Sequence, residues 1–129
     1  MEIVWDDVII GMPGDLKRMF KQHEDKLNFE TKYQLALALP FAEENGLHIN
    51  AVMYSLRIAQ IMMGMDKLLL YRRAIRHAEK LRSSPSLYIV AYGHIVDYLE
   101  QDKLVNTDIY KTSKNTLEYI LNTHLERGN

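Results

Sequence analysis

Arg72, Arg73, Arg76 and Lys80 fall within one nine-residue window, with Lys67 and Arg82 to either side. Spacing of 72, 76 and 80 stacks three cations one turn apart if the segment is helical. Glu79 is the one acid beside them, at the margin of that face. A guanidinium is a planar fork that grips phosphate or carboxylate with two bonds at once. The run therefore reads as an anion-binding surface. Like charges one turn apart repel modestly, so the stability of an isolated helix does not account for the pattern. Arg57, in the preceding segment, is the next candidate. The expected partner-binding residues are thus Arg57, Arg72, Arg73, Arg76 and Lys80. The competing explanation is a solvated helix face neutralised by acidic neighbours in the fold.

Other chemistries find less support. The five histidines form no HExxH, HD or Glu-x-x-His spacing, so the patterns used by zinc hydrolases and di-iron bundles are missing. His23 and His124 fall within apolar stripes, whereas His94 lies toward a polar side. Asp97 and Glu100 share a helix face, but helical nucleotide hydrolases that hold magnesium need two such pairs. Gly11–Gly14 followed by Lys17 lacks the GK[ST] of a phosphate-binding loop. There is no GxSxG. Cysteine is absent, which excludes a thiol nucleophile, a thiolate metal site and a disulfide framework. The expectation is a non-enzyme with no cofactor and no metal. Tyr88 and Tyr92, one turn apart, read as core packing with hydroxyls at the edge.

Residues 41–52 resemble a helix-turn-helix turn. Ala42 stands four before the turn glycine Gly46, Leu47 follows it, and Val52 and Leu56 fall where a second helix must pack. Such a helix would offer His48, Asn50, Met53, Tyr54 and Arg57 to a major groove. Asn45 replaces the usual apolar residue, Pro40 disturbs the first helix, and the second helix is too apolar to lie wet in a groove.

These residues need helices to position them, and the sequence supplies helical periodicity throughout. A chain of 129 residues with 47% hydrophobic and 26% charged residues fits one globular domain, 1–129, with a core that needs no covalent staple. After a short element near Trp5–Ile10, Pro13-Gly14 breaks the chain and Asp15 caps a helix to about Leu27. Asn28 caps a helix from Phe29 to about Asn45, which Pro40 should kink or break. Further helices follow over about 50–63, 66–81 (capped by Asp66), 85–101 (started by Ser84-Pro85) and, after a connector, from Thr112 or Ser113 to Arg127. A helical turn at 108–111 fits within that connector.

The segment Asn50–Met63 is apolar nearly all round, as a helix at the centre of a bundle must be. Its methionines also suit a contact surface between copies. Net charge is −1, but residues 51–82 carry seven basic and two acidic side chains between acidic flanks. No stretch reaches the roughly 20 apolar residues that span a bilayer. The N-terminus carries acids where a secretory leader carries bases.

The fold expected is an all-α, compact single-domain bundle of about five to six helices with a central apolar helix near 50–63. The function expected is a cytoplasmic regulatory or adaptor protein that binds another macromolecule through its basic helix face. A protein partner ranks first, with self-association into a homo-oligomer beside it. A nucleic-acid-binding regulator with a degenerate helix-turn-helix near 37–60 is the alternative. No membrane association is expected.

Overall fold

The computed structural model describes residues 14–22 and 29–128. Among these the protein is an all-α bundle of six helices with no strand. The helices are α1 (Gly14–Gln22), α2 (Phe29–Glu44), α3 (His48–Ala59), α4 (Gly64–Glu79), α5 (Pro85–Gln101) and α6 (Asp108–Gly128). The element near Trp5–Ile10, His23 and the Asn28 cap lie outside the described residues.

Helix α3 is the axle. It packs on α2, α4 and α5, and α4 packs in turn on α5. Ala51, Val52, Leu56, Ile58 and Ala59 on α3 are wholly buried. They meet Leu39 from α2, Leu70 and Ala74 from α4, and Ile95 and Leu99 from α5 in one continuous core. Leu16, Met19 and Phe20 carry α1 into the same core. Helix α6 lies along α5. The all-round apolar character of α3 is thus used up inside the chain. Asn50 and Arg57 are its exposed positions, with Gln60 exposed at its C-terminal cap.

Several boundaries differ from the sequence-based expectation, each for a local reason. Helix α3 stops at Ala59 instead of Met63. Residues 60–62 turn the chain out, and Gly64 takes φ +60°, a left-handed conformation that costs glycine little. Met63 caps α4 in an extended conformation. Asp66 is therefore inside the first turn, not the cap, where its charge suits the helix dipole. Its carboxylate meets Arg18 of α1 at 2.9 Å. Helix α6 starts at Asp108, some four residues before the expected cap. Thr107 supplies the start: its hydroxyl accepts from the Tyr110 N–H at 3.3 Å. Ser113, expected as a cap, is fully buried within the helix.

Helix α2 runs unbroken through Pro40. Proline removes one backbone bond there, but Leu35, Leu39 and Ala42 bury the helix on both sides of it. Tertiary packing holds a helix through a lost hydrogen bond. The C-terminus of α2 closes as expected at Gly46, with φ +66°. Leu47 N–H reaches Ala42 O at 2.9 Å and Gly46 N–H reaches Glu43 O at 3.3 Å, a Schellman closure. Helix α5 closes the same way, but with Lys103 at the left-handed position, φ +59°. Leu104 N–H bonds Leu99 O at 2.9 Å there.

Two outcomes test this packing. Leu56→Ala should cost about 2–5 kcal/mol in chemical unfolding, because the axle cannot collapse around the void. Lys103→Gly should raise stability by about 0.5–1 kcal/mol by relieving the left-handed strain.

Candidate functional site

The basic run on α4 does not form one surface. Successive residues on a helix are about 100° apart, so Arg72 and Arg73 cannot face the same way. Arg72, Arg76 and Lys80 are exposed and stand one turn apart. Among the described residues none of the three side chains has an ion pair or hydrogen bond. Their stripe spans about 12 Å, eight residues at the helical rise. Toward the N-terminus the same face continues into Leu69, 37% exposed, and Met65, 65% exposed. The open side of α4 is thus apolar at one end and cationic at the other.

Arg73 is turned inward and is only 9% exposed. Its Nε and Nη2 donate to the two carboxylate oxygens of Glu43 on α2, at 2.9 and 2.7 Å. His77, one turn on, places Nε2 2.6 Å from Glu43 Oε2. Its Nδ1 lies 3.3 Å from Nδ1 of His48, the first residue of α3. One carboxylate therefore joins α2 to α4, and the histidine pair joins α4 to α3. Burial alone would raise the Glu43 carboxyl. Hydrogen bonds from His77 and Arg73 outweigh it and hold the group at about 2, against an ordinary 4.5. Arg73 is thus a structural tie and not a member of the exposed stripe, which corrects its placement from sequence. Arg57 is exposed on α3, in a strip separate from the open face of α4.

Nothing in the sequence announced Glu43, 30 residues from Arg73. The available signal was angular: Arg73 falls on the side of α4 shared by Leu70 and His77. The helix-turn-helix candidates also divide. His48 is engaged with His77, Met53 and Tyr54 are half-buried, and Asn50 and Arg57 remain exposed.

Two further polar clusters lock the bundle. Tyr71 is fully buried, and its hydroxyl donates to Asp102 at the end of α5. Gln60 and Lys67 also donate to that carboxylate, at 3.1 and 3.2 Å. At the α4–α5 corner, Tyr88 and Tyr92 both donate to Glu79, which Arg82 meets at 2.6 Å. Their rings cross edge to face with centroids 5.2 Å apart. Both tyrosines are buried and their hydroxyls are spent on one carboxylate, which leaves no stacking platform.

Open concavities lie elsewhere. A groove of about 590 Å³ runs between α2 and α3, lined by Leu37, Pro40, Phe41, Leu47 and Tyr54. Phe41 is 62% exposed at its edge. A cleft of about 470 Å³ between α5 and α6 is walled by Glu79, Arg82, Tyr88 and Tyr119. It adjoins a smaller one that reaches His124. His124 is exposed there, not buried in an apolar stripe. Among the described residues no group of three or more His, Cys, Asp or Glu side chains is arranged to hold a metal ion. No described helix is long and apolar enough to cross a membrane. No protein-family model, curated protein or solved structure matches the chain.

The two kinds of arginine separate by mutation. Arg73→Ala should destabilise the protein by about 3–5 kcal/mol, because Glu43 keeps its burial and loses its bidentate partner. Arg72→Ala, Arg76→Ala and Lys80→Ala should each stay within about 0.5 kcal/mol. The depressed Glu43 carboxyl adds stability that is complete above pH 4.5. That stability is lost as pH falls from 4.5 through about 2. Its size is at most about 3 kcal/mol. Acid unfolding of Glu43→Gln should lack that increment.

Proposed function

We propose that the chain is a non-enzymatic binding module, regulatory or adaptor in role, that docks an acidic segment of a partner protein on the open face of α4. The supporting observation is the stripe of Arg72, Arg76 and Lys80, exposed and without a carboxylate partner of its own among the described residues. Cations toward the C-terminal end of a helix also complement its dipole. That effect explains why they are tolerated at this spacing, not why all three are left open.

The apolar continuation through Leu69 and Met65 favours a protein over a nucleic acid. Phosphate backbones reward cations and offer nothing to exposed methionine or leucine. An acidic helix or strand with an apolar end can cover both halves of the face. Specificity then comes from charge matching, and the adaptable methionine fits more than one apolar shape. This reading takes the protein to act in the cytoplasm, which suits a chain without cysteine.

A second reading, self-association, rests on a different observation. Leu37, Phe41 and Leu47 are 43%, 62% and 42% exposed around one groove. A protruding ring beside a groove on the same surface is the arrangement that a two-fold contact uses.

The first reading is tested with an acidic helical peptide carrying glutamate at every fourth position, and with a DNA duplex, each at low and physiological salt. The peptide should bind. Reversal of Arg72, Arg76 and Lys80 to Glu should weaken it by about 10- to 100-fold at an unchanged unfolding midpoint. Tighter binding of the duplex, lost in the same variant, would move the function to nucleic acid. Binding of neither probe would end the reading. For self-association, light scattering on the purified chain should report a dimer that Phe41→Ser converts to monomer.

A further inference from the structure

We propose that the His48–His77 contact is an acid-release catch: it holds one hydrogen between its two facing nitrogens but not two, so a second proton loosens the junction of α2, α3 and α4 while Glu43 is still ionised. The geometry sets this limit. His77 Nε2 lies 2.6 Å from Glu43 Oε2, so that nitrogen carries a hydrogen. The other nitrogen of the ring, Nδ1, faces His48 Nδ1 at 3.3 Å. One of these two must donate and the other accept. With the hydrogen on His77, the charge resides there and His48 is neutral. With it on His48, His77 is neutral. Either way the pair carries at most one positive charge. A second would set two N–H groups head to head.

The surroundings do not absorb that second charge. From α4, Arg73 and Lys80 bring positive charge to the cluster. From α2, Glu43 brings the one carboxylate among the described residues that touches the pair, and it already accepts from Arg73 and His77. From α3 comes His48 itself, at the helix start, where the dipole is positive. Burial first, and then the charges of His77 and Lys80, hold His48 below its ordinary 6.5. In the unfolded chain both imidazoles take protons independently near that value. Below it the unfolded state therefore binds more protons, and stability falls with pH. Glu43 keeps its charge until far lower pH, so the two stages are separate. The first belongs to His48.

The test follows unfolding of the whole chain from pH 7.5 to 5.0. The folding constant should drop up to tenfold for each pH unit over which the folded pair is one proton short. His48→Gln can still bond His77 but cannot take a proton, so its folding constant should be nearly level over that range. NMR titration of wild-type His48 should give a midpoint below 6.5. A level wild-type profile, the same drop in His48→Gln, or a His48 midpoint at or above 6.5 would each overturn the proposal. If His48→Gln fails to fold, the wild-type titration alone decides.

Discussion

A carboxylate that leaves water must be met by donors, and Glu43 is met by two residues from one helix. Arg73 closes a two-bond fork on it and His77 adds a third hydrogen bond. An ion pair in this position is not a generous source of stability, because desolvation offsets much of its attraction. Its effect is on geometry. The fork admits one orientation of α4 against α2, and His77 carries that orientation on to His48 at the start of α3. Three helices are set in register at one point. The rotation of α4 about its own axis follows, and that rotation decides which of its cations face water. The open stripe of Arg72, Arg76 and Lys80 is the outward side of a helix whose inward side is held by Glu43.

The architecture was largely readable from periodicity. Apolar residues at helical spacing marked the segments that became α2 to α5, and the all-round apolar character of 50–63 marked the axle. Breaks at Gly46 and at Ser84-Pro85 were legible because glycine and proline act locally. The errors have a common origin in tertiary structure. Pro40 should kink or break a helix, yet burial on both sides carries α2 through it without a break. Lys103 adopts a left-handed conformation that no local rule assigns to lysine. Thr107 starts α6 early because its hydroxyl bonds Tyr110, whereas Ser113 is drawn into the interior.

The candidate site was legible in composition and illegible in direction. A cluster of arginines is visible in any reading of residues 72–76. The separation of Arg73 from its neighbours depends on Glu43, and a partner 30 residues away leaves no trace in spacing. The same holds for Asp102 beneath Tyr71, whose donors come from the far side of the sequence. Glu79 gathers Arg82, Tyr88 and Tyr92 from across the nearby α4–α5 corner. Such charges look solvated in the sequence and are committed in the fold. Counting them as available surface overstates what a partner would meet.

Helix α6 stands apart from this arrangement. It is 21 residues long and, among the described residues, packs mainly on α5, whereas α3 is gripped from three sides. A stave fastened along a single edge is the first to lift, and opening of that kind costs less than unfolding the whole. The α5–α6 cleft therefore has one wall braced at Glu79 by two tyrosines and an arginine, and an outer wall that carries Tyr119 and His124. Its width follows the position of that outer helix.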